Sequence, residues 1–437
     1  MFEYQSYTIE KRNQSLEFSF LFKMGEEIVF KPSYSIPYRS FFDLSKVSDT
    51  VLENLVFHIG MVELISYWKA ACPPQVVIKP FSLSEEQVGF WKKLYLNGLG
   101  EFFYLNGIDP GEDFMILESE GKRILPSSWE MDDRAVMVPV GGGKDSVVTL
   151  ELLKKLSYNI FPMAMNPRPA IERTITIAGF DNGQTIVVKR KLDKKLLELN
   201  DKGFLNGHTP FSALLAFVTL LPAALSGIKH IALSNEASAN ESTVPGSKIN
   251  HQYSKSLEFE NDFRNYVKKY ISRDVNYFSF LRPLSELQIA ALFARFKGHH
   301  LSFRSCNVGS KKDVWCGSCP KCLFTRIILG PFLEQEQLRR IFGKELLDDD
   351  RLKHYFDELT GKIEVKPFEC VGTPREVSLA LSKIKSNWEK GKEPHLLRGF
   401  VPVPQWETAF DRFMRIFEPE HNLPKPFFEL LSNEMKR

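Results

Sequence analysis

The hydrophobic and polar positions of the chain follow one pattern before residue 132 and another after it. In the first part, short runs alternate apolar and polar side chains at 15–22 (SLEFSFLF) and 27–36 (EIVFKPSYSI), which predicts strands. Apolar positions at helical spacing across 51–70 predict a helix. This mixture predicts an N-terminal α+β domain over residues 1–132, which closes with a polar, turn-rich stretch.

After residue 132, short apolar runs alternate with helical patterns. The predicted strands are Ala135–Val140, Asn159–Met165, Arg173–Ile177, Thr185–Val188 and His230–Leu233. Strands that alternate with helices at this spacing predict an α/β domain over residues 133–330, with a parallel sheet flanked by helices on both faces. The charged, amphipathic remainder predicts a mainly helical C-terminal region over residues 331–437.

The longest stretch without charge, residues 207–227, is close to the length of a membrane span. It opens with His208, Thr209 and Pro210 and contains Pro222, so we predict a helix buried in the core and no membrane association. The first residues lack the basic-then-apolar layout of a signal peptide. We therefore expect a cytoplasmic protein.

Composition and charge narrow the function classes. The 437 residues are 43% hydrophobic and 25% charged, as in ordinary globular proteins, and disordered or collagenous classes are excluded. A net charge of +3 gives little long-range attraction for nucleic acid or an anionic membrane, so neither is expected as a partner. The basic run at 189–195 is interrupted by Asp193 and is typical of a solvated face.

A glycine turn separates the first downstream strand from a helix. Gly141, Gly142 and Gly143 would let the backbone approach an anion at the N-terminus of that helix. Lys144 could neutralise phosphate, Asp145 could hold Mg2+, and Ser146 could bond a phosphate oxygen or cap the helix. A turn without any ligand is the alternative interpretation.

The turn has neither Walker A spacing nor the dinucleotide-binding glycine pattern. It resembles the Ser-Gly-Gly-x-Asp-Ser signature of the PP-loop ATP pyrophosphatases, which have the adenine nucleotide alpha hydrolase-like fold. Gly142, Gly143, Asp145 and Ser146 match, whereas Gly141 replaces the first serine and removes one hydroxyl contact. The resemblance implies that the turn grips the pyrophosphate of ATP.

Four of the six cysteines lie within seventeen residues: Cys306, Cys316, Cys319 and Cys322. Four thiolates with C-x2-C spacing suit tetrahedral Zn2+, and lysines in the same segment would offset their charge. Because all four ligand positions are filled, we predict a structural metal. Free thiols, a redox pair and an iron–sulfur cluster are the alternatives.

Polar residues follow the strand His230–Leu233, at the sheet edge where ligands bind in such folds. Asn235, Glu236 and Asn240 could bind nucleotide, metal or substrate there, or they could simply form a polar loop with helix caps. Arg282, before another predicted helix, could hold phosphate or serve structure.

Together, the glycine turn and the cysteine cluster resemble those of the 7-cyano-7-deazaguanine synthases, but those enzymes are about half as long. The whole chain is more similar to the UDP-N-acetyl-alpha-D-muramoyl-L-alanyl-L-glutamate epimerases. The similarity runs through VPVGGGKDSVVTLELL, SNEASANEST, SCNVGSKKDVWCGSCPKCLFTRIILGPFL and KPFECVGTPREVSLAL, within residues 135–385. It implies an enzyme that uses ATP and Mg2+ to convert the terminal L-glutamate of the UDP-muramoyl dipeptide to D-glutamate, releasing AMP and diphosphate for peptidoglycan synthesis.

Such an epimerisation needs groups that remove and return the Cα proton. The candidates are His208, His251, Tyr253 and Cys370, each of which could instead be an ordinary loop or core residue. Three other functions stay open: an adenylating enzyme that traps the carboxylate with ammonia, a PP-loop tRNA-modifying enzyme, and a zinc-stabilised nucleotide-binding regulator. Ammonium dependence, tRNA binding, and ATP binding without cleavage would distinguish them.

Overall fold

A computed structural model describes residues 1–111 and 113–437. Eleven strands of these residues join in one mixed sheet with the order β11-β10-β7-β8-β9-β4-β2-β1-β5-β6, and β3 pairs with β2 outside this path. The strands are β1 (Phe2–Lys11), β2 (Ser15–Met24), β3 (Ile28–Phe30), β4 (Ser33–Pro37), β5 (Gln75–Ile78), β6 (Ile116–Ser119), β7 (Asp132–Pro139), β8 (Asn159–Met165), β9 (Ile186–Lys191), β10 (Ile228–Leu233) and β11 (Asn276–Ser279).

Helices cover the sheet and form the C-terminal part. They are α1 (Asp49–Glu63), α2 (Ile65–Trp68), α3 (Glu85–Gly98), α4 (Gly100–Leu105), α5 (Lys144–Leu153), α6 (Pro169–Ile177), α7 (Lys194–Asp201), α8 (Phe211–Ser226), α9 (Leu257–Tyr270), α10 (Glu286–Ala294), α11 (Pro320–Leu329), α12 (Gln335–Phe342), α13 (Lys353–Leu359), α14 (Pro374–Ser386), α15 (His395–Arg398), α16 (Trp406–Phe413) and α17 (Lys425–Lys436). Helices α12 to α17 all fall within residues 331–437.

The strands from β7 to β11 form the parallel part of the sheet, as predicted. Alternate residues of β7 enter two different hydrophobic cores, with Met137 in one and Val136 and Val138 in the other. A sheet buried on both faces explains the uninterrupted apolar runs of these strands. The α/β class is thus confirmed as a mixed sheet flanked by helices, while the PP-loop fold in particular stays an expectation.

One predicted strand is wrong. Residues 173–177 belong to helix α6, which begins with Pro169 in its first turn. Proline is favourable at that position, and Ile171 and Ile175 lie one turn apart on the buried side while Glu172 faces solvent. The apolar residues of the whole segment therefore have helical spacing, although the five residues 173–177 taken alone have the alternation of a strand.

The N-terminal part continues the same sheet: β4, β2 and β1 pair in antiparallel fashion, and β5 and β6 then add a second parallel segment beside β1. Strand β4 pairs with β9, with Tyr34 opposite Arg190, so the sheet runs across the predicted boundary at residue 132. Beneath this junction, the buried Glu63 carboxylate accepts hydrogen bonds from Tyr34 and Arg190. The division of the chain into three domains stays a prediction.

Helix α8 corresponds to the uncharged stretch that the sequence placed inside the protein. Its side chains from Ala216 to Leu225 are buried, and it packs against α1 and strand β10. Gly227 ends the helix in a left-handed conformation (φ 64°). Among the residues described, no helix is both long and apolar enough to cross a membrane.

Candidate active site

The glycine turn lies between β7 and α5, as the sequence predicts. Gly142 has φ +79°, and a Cβ at this position would lie 3.0 Å from the backbone nitrogen of Ile171, so only glycine fits without strain. The Ser146 hydroxyl accepts a hydrogen bond from the Gly142 amide (3.2 Å) and donates one to the Gly143 carbonyl (3.0 Å). No side chain caps the first turn of α5, which leaves its amides available to an anion.

Lys144 sits differently from the phosphate-facing lysine that the sequence suggested. Its ammonium group is buried and contacts the carboxylates of Asp145 and Glu286. Burial alone would raise the pKa of Asp145, but Lys144 and Lys321 lower it, so this partly exposed carboxylate is charged. Two carboxyl groups, those of Asp145 and Glu286, already contact the Lys144 ammonium in this structure.

Glu286, the first residue of α10, was not singled out from the sequence. It is buried, and burial together with the neighbouring carboxylates Asp145 and Glu236 raises its pKa against the attraction of Lys144. The only signal in the sequence was its position in the first turn of a helix, which many ordinary glutamates share. Its partners converge on it only in the folded chain.

The segment that enters the cysteine cluster lies directly against the glycine turn. The amide of Arg304 donates a hydrogen bond to the Gly142 carbonyl at 2.8 Å. A Cβ on Gly143 would lie 3.0 Å from the hydroxyl of Ser305, the residue before Cys306. The geometry of the turn is therefore coupled to that of the cysteine cluster.

The four clustered cysteines converge as the sequence predicts. Their sulfur atoms all lie within 4.8 Å of one another, with 3.8 Å between Cys306 and Cys319, 3.7 Å between Cys316 and Cys322, and 3.5 Å between Cys319 and Cys322. Tetrahedral zinc with Zn–S bonds near 2.3 Å requires sulfur separations of about 3.8 Å. The Gly309 amide also donates to the Cys306 sulfur (3.1 Å), as amides do around metal thiolates. These positions fit Zn2+.

Cys370 forms the centre of a second polar cluster. Its sulfur lies 3.0 Å from the Lys255 ammonium, and His251 is close enough to interact with it electrostatically. Burial alone would raise the pKa of this thiol, but Lys255, His251 and Lys321 lower it to about 5. Cys370 is thus a thiolate at neutral pH.

The two predicted histidines lie beside this thiolate and share one carboxylate. His251 Nδ1 hydrogen-bonds to Glu101, and His208 Nδ1 lies 3.4 Å from the same oxygen. Burial lowers the pKa of His251, but Cys370 and Glu101 outweigh burial and raise it to about 9. Burial and the charge of His251 lower the pKa of His208 to about 4, so His208 is neutral. Tyr253, the other candidate, is buried, and burial raises its pKa to about 12.

The Cys370 cluster and the glycine turn face the same region. Gly372, two residues beyond the thiolate, approaches Glu286 so closely that a Cβ on it would lie 3.3 Å from the Glu286 Cβ. Glu286 in turn contacts Lys144 of the turn. Lys255 and Asp145 also shift each other's pKa electrostatically, which requires proximity. The structure therefore joins the glycine turn to Cys370, which lies more than 200 positions later in the chain.

The remaining predicted binding residues are mostly buried or engaged in structural hydrogen bonds. Glu236 is buried among these charges, and Asn235 donates to the Ser279 hydroxyl at 2.9 Å. Asn240 accepts from the Leu257 amide at the start of α9, which is the helix-capping alternative. Arg282 is completely buried, and its two terminal nitrogens donate to the carbonyls of Glu236 and Lys255. Arg282 thus stabilises the loops of the site, and the two terminal guanidinium nitrogens that donate to these carbonyls are not available to phosphate.

Fold and site together define a mixed α/β protein in which a glycine turn, a cluster of four cysteines and a cysteine in contact with a lysine lie around one region. Comparison with known proteins gives the family. Residues 1–280 match the MurL N-terminal domain, and residues 302–408 match the MurL C-terminal domain.

Three curated relatives carry the name UDP-N-acetyl-alpha-D-muramoyl-L-alanyl-L-glutamate epimerase. The protein of Xanthomonas oryzae pv. oryzae is 33% identical over 94% of this chain and 92% of its own length. That of Salinispora tropica is 35% identical over 79% and 76%, and that of Micromonospora sp. is 33% identical over 86% and 85%. The chain therefore belongs to the MurL family of epimerases, and the family expected from the sequence motifs is confirmed.

Proposed function

We propose that this protein converts the terminal L-glutamate of UDP-N-acetylmuramoyl-L-alanyl-L-glutamate to D-glutamate in peptidoglycan precursor synthesis, at the expense of ATP. The names of the relatives support the substrate and the epimerisation. The observation that carries the chemistry is the Cys370 sulfur, held 3.0 Å from the Lys255 ammonium in the region of the glycine turn. The need for ATP places the reaction in the cytoplasm.

Carboxylate activation explains why an epimerase would need ATP. A free carboxylate opposes loss of the neighbouring Cα proton, because the anion that forms would add to an existing negative charge. Transfer of AMP to the carboxylate removes that charge and makes the carbonyl a better electron sink. Hydrolysis of the acyl-adenylate then releases the product and AMP, so the cycle consumes one ATP and yields AMP and diphosphate.

The residues of the glycine turn fit the nucleotide. The amides of Gly141 to Gly143 and of the first turn of α5 would hold the diphosphate part of ATP. Asp145, with its charged and partly exposed carboxylate, would hold Mg2+, which prefers oxygen ligands. Glu236 and Glu286 lie close enough to Asp145 to influence the same ion electrostatically. ATP and Mg2+ would supply the leaving group and its charge neutralisation.

The Cys370 cluster would carry the proton transfers. A thiolate can take the Cα proton without prior deprotonation, and Cys370 has this form at neutral pH. His251 holds a proton beside it and can return one. His208, which is neutral and lies 4.6 Å from His251 between ring centroids, is the other candidate for the second transfer.

Diphosphate release in deuterated water tests this function. With ATP, Mg2+ and the UDP-muramoyl dipeptide, we expect substrate-dependent diphosphate and D-glutamate that carries one deuterium at Cα, by mass spectrometry and chiral analysis. Cys370→Ala should abolish deuterium exchange, because the thiolate is lost. Cys72→Ser is the matched control, since Cys72 lies outside the cluster and donates a hydrogen bond to the Lys69 carbonyl.

Two results would contradict the proposal. No diphosphate with this substrate would remove it as the substrate, and ammonium-dependent diphosphate release with an amide product would favour a deazaguanine-type synthase instead. Full exchange in Cys370→Ala would show that another group removes the Cα proton.

A further inference from the structure

We propose that Lys255 and Glu101 are positioning residues that keep Cys370 deprotonated, Lys255 by direct contact and Glu101 through His251. Neither residue was singled out by any sequence motif. The inference deepens the proposed function, because it says how the proton-transfer group is prepared. The quantity that it concerns, the charge state of Cys370, can be measured without substrate.

Lys255 acts on the thiolate directly. Its ammonium lies 3.0 Å from the Cys370 sulfur, in a surrounding where few water molecules can screen the attraction. The backbone around it is fixed, because the Lys255 carbonyl accepts a hydrogen bond from the buried Arg282. A lysine anchored in this way can stay opposite the sulfur at a small cost in side-chain entropy.

Glu101 acts through His251. The carboxylate, carried by the short helix α4, bonds to His251 Nδ1, and His251 in turn lies close enough to Cys370 for the two groups to shift each other's pKa. The His251 amide donates to the Thr243 hydroxyl at 3.0 Å, which fixes the loop. The carboxylate of Glu101, the imidazole of His251 and the sulfur of Cys370 thus follow one another in space. In cysteine–histidine enzymes the same sequence of groups orients the histidine and favours its positive charge.

The other charged groups around Cys370 do not replace these two. Lys321, from the cysteine cluster, adds a positive charge that reaches the sulfur electrostatically. Glu369 is the negative neighbour, and burial and the thiolate both raise its pKa, which reduces its charge. Loss of Lys255 or of the His251 charge should therefore leave the negative charge of the thiolate insufficiently balanced, and the pKa of Cys370 should rise.

The pH dependence of Cys370 alkylation tests the proposal. Iodoacetamide reacts with the thiolate, and mass spectrometry of the peptide that contains Cys370 separates this residue from the clustered cysteines. In Lys255→Met we expect the reactivity midpoint to rise by at least one pH unit, so that alkylation below the midpoint is about tenfold slower. Glu101→Gln should shift the midpoint in the same direction, because His251 loses the partner that favours its charge.

Control variants separate this role from a general loss of structure. Lys248→Met removes an exposed lysine from the same segment and should leave the midpoint unchanged. Lys255→Arg keeps the positive charge, so its reactivity midpoint should stay close to that of the unsubstituted chain. An altered midpoint in a protein whose circular dichroism and melting curve match the unsubstituted chain supports the proposal.

Two outcomes would overturn it. One is an unchanged midpoint in both Lys255→Met and Glu101→Gln. The other is a tightly bound metal ion that Glu101→Gln removes, because Glu101, His208 and His251 also bring their ligating atoms within 4.8 Å of one another. Failure of the proposed function is distinguishable: the chain would then lack substrate-dependent diphosphate release while its Cys370 still alkylates as a thiolate.

Discussion

At the scale of single residues, Cys370 and His251 carry opposite charges only within a limited pH range. The pKa of Cys370 is lowered to about 5, so the thiolate and the stability it adds are lost as the pH falls through that value. The pKa of His251 is raised to about 9, so its positive charge and the stability it adds are lost as the pH rises through about 9. Both charges coexist between these limits.

We therefore predict a bell-shaped pH dependence of kcat/KM for substrate-dependent epimerisation, with an acid limb near pH 5 and an alkaline limb near pH 9. Initial rates across a buffer series of constant ionic strength measure it. His251→Gln should remove the limb near pH 9 and move the acid limb upwards. An acid limb near 8.5, the value of an ordinary cysteine, would contradict a thiolate prepared before substrate binds.

At the scale of elements, the glycine turn shows how local conformation and tertiary contact combine. Gly142 needs a positive φ and also lies against the backbone of α6, whereas nothing lies within 4 Å of a Cβ on Gly141. Gly142→Ala should destabilise the protein by about 1–3 kcal/mol through backbone strain. Gly141→Ala should change the free energy of unfolding by less than about 1 kcal/mol.

Urea denaturation of the two variants, followed by circular dichroism, measures this difference. Diphosphate release should also fall in Gly142→Ala, because displacement of the turn would move the amides that we propose to bind the nucleotide. Equal stability of the two alanine variants would show that the turn relaxes without strain.

Some of these elements could be predicted from the sequence and others could not. Strand β7, the glycine turn and helix α5 carry local signals, namely an apolar run, three glycines and helical spacing, and all three are found. Helix α6 was missed because a five-residue window cannot distinguish a strand from one buried side of a helix. Periodicity over the whole segment from Pro169, with its helix-starting proline, was the signal that would have corrected it.

The candidate site shows the same limit more clearly. His208, His251 and Cys370 were found because their residue types suit proton transfer, and the structure brings them together. Glu101 and Lys255 have common residue types, and their importance arises from contacts across 150 and 115 positions of chain. No local pattern encodes such contacts, which depend on how α4, α9 and the loop before α14 meet around the sheet.

At the scale of the whole molecule, the N-terminal part and the later part share both sheet and site. Strand pairing between β4 and β9 continues the sheet, and Glu101 of the N-terminal part reaches His251. A chain that began at Asp132 would lose this carboxylate and would expose the edge of β9. The N-terminal part therefore supports the thiolate through His251, besides any contact with the UDP-sugar part of the substrate.

The four-cysteine cluster gives a further link between stability and the site. The Arg304 amide donates a hydrogen bond to the glycine turn. Lys321 lies between two of the cysteines in the sequence, and its positive charge lowers the pKa of Cys370 and of Asp145. If Zn2+ occupies the cluster, its binding energy also fixes these two contacts. Metal removal should then affect folding and chemistry together.

We predict one equivalent of zinc per chain and a loss of both thermal stability and diphosphate release when a chelator removes it. Structural zinc contributes about 10–16 kcal/mol in small zinc domains, so a large decrease of Tm is expected even if only part of this energy acts here. Added Zn2+ should restore both properties. Cys319→Ser should lose the metal, whereas Cys72→Ser, outside the cluster, should keep it. If Tm and diphosphate release both survive complete removal of the metal, hydrogen bonds such as that from Arg304 to Gly142 hold the turn without it, and the cluster would act independently of the site.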